Sequence, residues 1–372
     1  MVHYICGYAK DTERNRWKYS PAGTAKMEYI LLCLDELNID YRAYSTCQTI
    51  EPKWCGKMEC GKIRYRSSFS TKNKYSLVLD RAFAIIQLLV YLLRIPSEDT
   101  VLVYHERYYT SWVNFVHRLK KWRLIWEVEE IYKMVHGNIK EEVDKEIVGL
   151  SEQHSGCDGY ILSTSLLKRY FPNNAIICNG AYHPVYSNNT SNVENPETIH
   201  IVYGGTLNKT KGGAIAAAAA KYLNSNYHVH ILGFGDDEQI QQINELVKTT
   251  NAHSKATVSY DGCLRGEDYR NFIRKCQIGL STQNPSSDYN NTSFPSKVLE
   301  YLRNGLNVVT IDIPAVRQSE VHHLLNYYET QTPEALAKSI CKVNFIQSKE
   351  IVCALDKLHE KFKQDLESLL NS

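Results

Sequence analysis

The sequence predicts an α/β protein built as two doubly wound, Rossmann-like domains. Three observations carry that expectation. The chain has 372 residues, too many for one ordinary core and suited to two. In both halves short apolar runs alternate with helix-periodic segments, the pattern of parallel sheets with crossover helices. The alternation breaks once, over 183–198, where Asn, Ser and Pro are frequent and no apolar period exists, so this stretch reads as a linker. The expected organisation is a first domain over 1–182, a second over 199–345, and a charged helical segment over 346–372 that packs back on the first. The cleft between two such domains is the usual place for a ligand.

Along the first half, residues 2–9 read as a strand. A long polar loop with Pro21 and Gly23 then leads into a helix over 25–37. Strand, small-residue loop and helix open a βαβ unit, and its loop lies where open α/β sheets bind ligands. Further strands read at 100–104, 123–128, 159–163 and 175–178. They end on His105-Glu106-Arg107, Glu129-Glu130, a serine and Asn179-Gly180. Ionisable groups thus collect at strand carboxyl ends.

The second half restarts the pattern. A strand over 199–203 meets a glycine turn at Gly204-Gly205-Thr206. Lys211-Gly212-Gly213 then enters an alanine-rich helix, a composition that favours helix and close packing on a sheet. A strand over 228–232 ends on Gly233-Phe234-Gly235. Strands follow at 258–260 and 278–281, with helices over 238–249 and 268–276. The stretch 290–312, NNTSFPSKVLEYLRNGLNVVTID, reads as a helix stopped at Gly305 and followed by a buried strand. Free N–H groups at such a helix start hold anions. A carboxylate about one turn in, Glu300, is placed to meet a ribose hydroxyl. Two glycine turns, Lys211 and this helix start converge on one edge and together predict a diphosphate. YGGTLNKTKGG is neither the dinucleotide fingerprint nor a Walker A loop, which argues against nicotinamide oxidoreductases and P-loop NTPases.

Composition bounds the rest. The formal net charge is +2, with no overall bias toward nucleic acid. The N-terminus lacks an export signal and the apolar stretch 82–93 is too short to span a bilayer, so a cytoplasmic protein is expected. The 11 cysteines are unevenly spaced and read as reduced thiols. Cys47, Cys55 and Cys60 cluster without the spacing of a zinc ribbon or finger. Two segments mix basic and aromatic residues. Residues 51–75 carry Lys53, Lys57, Lys62, Arg64, Arg66, Lys72 and Lys74. Residues 111–126 place Trp112, Phe115, Leu119 and Trp122 beside Arg118, Lys120, Lys121 and Arg123. Such surfaces suit a peripheral contact with an anionic membrane, and equally a solvated face over a core stripe.

The ordered pieces IVYGGTLNKTKGG, HILGFGDDEQI, VSYDGCLRGEDYRNFIRKCQIGLST and FPSKVLEYLRNGLNVVT resemble the retaining glycosyltransferases of family 4. SPAGTAKMEYI, WEVEEI, CDGYILST and IICNGAY extend the resemblance into the first half. It implies the GT-B fold and transfer of a sugar from a nucleotide-diphosphate donor with retention, with no cofactor and no essential metal. Lys211 matches the lysine on the donor phosphates and Glu300 the glutamate that holds the ribose. Thr292 stands where a glutamate usually meets the donor sugar. Thr206 stands where an arginine is usual, with Lys209 near enough to compensate. Gly23 matches the small-residue loop near sugar and acceptor. Gly204, Gly205 and Gly233 allow close backbone approach, and Ser296, Lys297 and Val298 form the helix start. The base is expected against the backbone around Leu264. Glu129 or Glu130, with His105 as second choice, is the expected acid at the reacting centre, where the bond that breaks builds positive charge on the sugar. The expected acceptor is a saccharide or lipid-linked saccharide, in bacterial surface polysaccharide synthesis at the inner membrane face. A nucleotide-sugar epimerase and a non-catalytic nucleotide-sugar-binding subunit fit the same residues.

Overall fold

A computed structural model describes residues 1–51, 54–69, 74–104, 109–131, 156–185, 197–208, 212–286, 290 and 292–372. It divides into two compact units, Met1–Ala181 with Lys361–Ser372, and Tyr182–Glu360. His105, Lys209, Lys211, Lys53, Lys72 and most of the expected linker (186–196) lie outside the described residues.

The first unit holds β1 (Val2–Cys6), β2 (Tyr41–Ser45), β3 (Trp54–Cys55), β4 (Met58–Cys60), β5 (Ile63–Tyr65), β6 (Ser68–Phe69), β7 (Thr100–Tyr104), β8 (Arg123–Val128), β9 (Gly159–Leu162) and β10 (Ala175–Ile177). Eight of these form one sheet in the order β10-β9-β8-β7-β1-β2-β5-β4, while β3 and β6 pair as a small ribbon. All pairings in the large sheet are parallel except β4 with β5. β1 has β2 on one side and β7 on the other, so strand order reverses there, at a topological switch point.

The helix after β1 runs over Pro21–Glu36, four residues ahead of the expected start. The reason is local. Ser20 caps it by accepting from the Gly23 N–H at 3.3 Å, and Pro21 occupies the first helical position, where its missing N–H costs nothing. β2 carries the sequence YRAYS, whose polar members hide a central strand from an apolar-run reading.

Two helices, Lys74–Leu93 and Thr110–Lys120, pack on the core that contains Leu88, Leu92, Val113, Trp122 and Trp126. The first is tied down by Asp80, which accepts from buried Arg66 at 2.7 and 3.0 Å. Its window Ser76–Leu93 is, by length and composition, apolar enough to cross a membrane. That is longer than the apolar run seen in the sequence, yet one face is committed to the core. The opposite faces of both helices are bare. Val78, Leu79, Ile86, Val90 and Leu93 are exposed on one, and Trp112, Phe115 and Leu119 on the other. Trp122 leaves this stripe. It lies beyond the helix end, where Lys121 turns left-handed (φ +56°), and is buried. Arg123 is taken up by Leu369 O and Ser372 Oγ. Among the described residues the basic run 51–75 is largely ion-paired. Lys57 and Arg64 pair with Glu59, Lys62 with Asp35, and Arg66 with Asp80.

The second unit holds β11 (Ile199–Thr206), β12 (Tyr227–Phe234), β13 (Thr257–Gly262), β14 (Ile278–Ser281), β15 (Asn307–Ile311) and β16 (Leu325–Tyr328). They form one parallel sheet in the order β13-β12-β11-β14-β15-β16. The order reverses at β11, so its carboxyl end and that of β14 mark the switch point. The final helical segment is two helices, Pro333–Ile340 and Ser348–Asn371, and the second reaches into the residues that belong to the first unit. Residues 182–185 belong to the second unit. Val185 N–H donates to Arg303 O at 3.1 Å, and Arg303 Nε donates to His183 O at 2.8 Å.

Candidate functional site

In the second unit, Gly204 and Gly205 are the last turnless residues of β11 before Thr206, and Gly233 lies inside β12. The expected glycine turns are therefore strand ends, and packing between strands explains the glycines. A Cβ on Gly233 would lie 2.0 Å from Gly205 O. Gly205 itself has φ +152°, and a Cβ there would lie 2.5 Å from Lys297 Nζ. Lys297 thus brings its ammonium against the β11 backbone at the switch point. The ammonium also sits 3.9 Å from the centre of the Tyr203 ring, a favourable cation–π placement. Tyr203 Oη donates to Thr206 O at 2.9 Å, which fixes the ring.

Gly204 N–H donates to Tyr301 Oη at 2.8 Å, and a Cβ on Gly204 would lie 2.8 Å from Tyr269 Oη. Burial pushes both phenols up, and the Glu300 carboxylate adds to each shift. They remain neutral hydroxyls beside a carboxylate. Glu300 is half-buried and three residues from Lys297 on the Ser296–Arg303 helix, so the two side chains are neighbours on its surface. Pro295 caps that helix without a side-chain acceptor, and Ser296 is exposed at its first position. Val298 does something else. Its side chain is buried and its N–H donates to Pro295 O at 3.0 Å, so it anchors the helix by packing. Thr292 is fully buried. Leu264 is half-buried in the loop between β13 and the Gly266–Ile273 helix. Gly212, which follows Lys211, was read from sequence only as the entry to the alanine-rich helix. It has φ +80°, its Cβ would lie 1.8 Å from Thr282 O, and it accepts from Thr282 Oγ1 at 3.0 Å. The chain is thereby pinned against the end of β14 where the next helix begins.

The first unit's edge has a different composition. Gly23 lies near the start of the Pro21–Glu36 helix, where a Cβ would come 3.0 Å from Tyr104 Oη at the end of β7. One turn on, Lys26 is buried and ion-paired with Glu129, with Glu127 Oε1 at 3.7 Å. Tyr4 Oη donates to Glu127. Glu127 has no exposure at all, whereas the Glu129 side chain is 24% exposed. Burial alone would push Lys26 down, but Glu129, Cys178 and Glu127 outweigh it and hold the ammonium above its ordinary range. Glu127 is pushed up to about 7, by burial first and then by Glu129, against the pull of Lys26 and of the Tyr4 hydroxyl. Glu129 is partly exposed yet held in place, since Lys26 fixes its carboxylate and its backbone O accepts from Ser163 Oγ. Glu130 follows it, half-buried. Lys26 and Glu127 were not expected from sequence. The only local signal was a charged residue inside the apolar strand RLIWEV.

Cys47, Cys55 and Cys60 form no disulfide and are not gathered to metal-ligand distances among the described residues.

No curated protein matches the chain by sequence. Solved structures do match in shape. The α,α-trehalose 6-phosphate synthase of Burkholderia multivorans superposes with a TM-score of 0.63 at 10% identity, over 99% of this chain and 96% of its own. The E. coli trehalose-6-phosphate enzyme bound with UDP-2-fluoro glucose gives 0.58 at 9%, over 98% and 96%. A lipopolysaccharide outer core galactosyltransferase gives 0.62 at 15%, over 99% of each chain. At such identities the likeness concerns the fold. Residues 198–344 match the family model described as glycosyl transferases group 1. The chain thus has the α/β fold of the GT-B glycosyltransferases, and residues 198–344 of its second unit are similar to the glycosyl transferases group 1 family.

Proposed function

We propose that the chain moves a sugar from a nucleotide-diphosphate donor, held by the second unit, to a saccharide or lipid-linked saccharide acceptor bound by the first. The transfer retains anomeric configuration and uses no metal in the chemical step. The observation that carries this reading is the placement of the Lys297 ammonium against Gly205, with Glu300 three residues on. The backbone approach, the cation and an uncapped helix start suit a diphosphate, and the carboxylate suits a ribose. As the anomeric bond breaks, negative charge grows on the departing phosphate. Lys297, Lys211 and the helix start at Ser296 hold it. Positive charge grows on the sugar, and Glu129 is the preferred acid to steady it, because Lys26 keeps that partly exposed carboxylate oriented. Glu130 and His105 are the alternates.

Acceptor class is read from the first unit. The bare apolar faces that carry Val78, Leu79, Ile86, Val90, Trp112, Phe115 and Leu119, with exposed Arg118 and Lys121 beside them, suit an interface with anionic lipid. That favours a lipid-linked acceptor at the inner face of a plasma membrane, as in surface polysaccharide synthesis. Flotation with anionic liposomes is expected to carry the protein, and Phe115→Asp with Leu119→Asp to abolish it. Equal flotation of the variant removes the lipid-linked reading.

The activity itself is tested with UDP-, GDP- and ADP-sugars and a panel of acceptors, with products analysed by mass and by the NMR coupling at the anomeric carbon. The expected result is nucleoside diphosphate released together with a glycoside of retained configuration, unchanged by added Mg²⁺ or Mn²⁺. Release from donor alone, with a free epimerised sugar, identifies an epimerase. Binding without turnover identifies a non-catalytic subunit, a reading favoured by Thr292, whose buried side chain supplies no carboxylate to the sugar.

A further inference from the structure

Three histidines of the second sheet are unused by this chemistry. His200 stands on β11 directly opposite His228 on β12, and His230 lies two residues further along β12. Residues two apart on a strand share a face, so all three project to one side, together with Ser259 and Asp261 of β13. The His228 and His230 rings stack with centroids 3.9 Å apart, and those of His200 and His230 lie 5.1 Å apart. His200 Nδ1 and His230 Nε2 are 2.9 Å apart, and one nitrogen from each of the three rings falls within 4.8 Å of the others.

We propose that His200, His228 and His230 form a binding site for one Zn²⁺ ion, which staples β11 to β12. Three imidazole nitrogens are a common zinc donor set, and tetrahedral Zn–N bonds of about 2.0–2.1 Å place two ligand nitrogens about 3.3 Å apart. One nitrogen pair stands at 2.9 Å and all three nitrogens lie within 4.8 Å, so small ring rotations admit the ion in place of the hydrogen bond between His200 and His230. The orientation is already set. Asp261 Oδ2 lies 3.1 Å from His230 Nδ1 and accepts from Ser259 Oγ at 2.8 Å. A carboxylate on the far nitrogen of a ligating histidine is the arrangement that fixes ring orientation and strengthens the ligand in metal sites. Ser259 Oγ also lies 3.0 Å from His228 Nε2. Burial holds His200 and His228 below the usual histidine range, which leaves neutral rings with lone pairs. His200 and His228 are half-buried, so the ion has an entry path and water can complete the coordination.

The site is separate from the switch point. Its ligands lie in the first half of each strand, whereas Gly204, Gly205 and Gly233 lie at the far ends. The ion acts as a structural clamp and takes no part in the transfer.

The test uses the full chain without an affinity tag, stripped with chelator and titrated with Zn²⁺ against a chromophoric competitor. His228→Gln with His230→Gln serves as the comparison. The wild type is expected to bind one Zn²⁺ per chain more than the variant, and its thermal transition to rise with Zn²⁺ where the variant's does not. Loading with Co²⁺ is expected to give the visible bands of a four-coordinate nitrogen site, lost in the variant. Should the double variant fold poorly, as read by near-UV circular dichroism, Asp261→Asn is the second arm. It leaves all three ligands and is expected to weaken Zn²⁺ binding about 10–100-fold. Equal zinc stoichiometry in wild type and double variant, or unchanged affinity in Asp261→Asn, overturns the proposal.

Discussion

At the carboxyl edge of the first sheet, charge is carried by buried side chains: Lys26 against Glu129 and Glu127, with Tyr4 hydrogen-bonded to the latter. At the carboxyl edge of the second sheet, glycine backbone, two neutral phenols and an uncapped helix start do the work, with Lys297 and Glu300 beside them. Both edges come from the same doubly wound topology, so the difference lies in residues. Buried ion pairs are costly to assemble and destructive to break. They hold a carboxylate in a defined place. Glycine edges are shaped by what must come close, and they leave room for an anion. Topology thus fixes where ligands go, and side chains decide which charge each edge accepts.

Breaking the first edge should damage folding. Lys26→Met leaves Glu127 and Glu129 without their cation and is expected to destabilise the first unit by roughly 3–5 kcal/mol, read from urea unfolding of the full chain. A loss under 1 kcal/mol would make the cluster a solvated pair in solution. Breaking the second edge should damage function instead. Lys297→Ala is expected to lower kcat/KM by roughly 10²–10³-fold, the scale of removing one preorganised donor from a developing anion, with unfolding unchanged. Glu300→Gln should weaken nucleoside diphosphate binding by roughly 1.5–3 kcal/mol, the worth of hydrogen bonds to a charged group, and calorimetry reads it. Unchanged affinity would release Glu300 from the ribose.

The smallest effect sharpens the comparison through pH. The folded-state pKa of Glu127 is raised, from 4.5 to about 7. Its contribution to stability is therefore fully present below pH 4.5 and is lost as pH rises through about 7. Glu127→Gln cannot titrate, so wild type minus variant stability should decline across that window. A flat difference would mean that Glu127 is not desolvated.

How much of this was legible depends on whether the cause is local. Strands β7 and β14 read correctly because each is a short, mostly apolar run between turns, and β8 because Leu124-Ile125-Trp126 dominates it despite Glu127. β2 and β16, YRAYS and LNYY, did not, because their tyrosines carry the burial while Arg and Asn disrupt the pattern. Ser20-Pro21 contained the true helix start. At the site, Glu300 and Lys297 were legible as neighbours on one helix because helix spacing is local. The glycines were found but misassigned to turns, since the Gly205 O against Gly233 is visible only when two strands pair. Lys26 with Glu127 was missed because the one local signal, a glutamate inside an apolar strand, does not name its partner, and only the fold joins them. Trp122 shows the reverse error, where helical spacing continued past a left-handed residue that ends the helix.

The central claim is that the glycine edge of the second unit is the nucleotide-diphosphate site. Hydrogen exchange read by mass spectrometry, on the full chain with and without saturating UDP, GDP or ADP, tests it directly. The account predicts that the diphosphate that binds slows exchange in the segments holding Gly204–Thr206 and Ser296–Glu300, with little change around Lys26 and Glu127. Protection confined to the first unit, or none with any of the three, would contradict it.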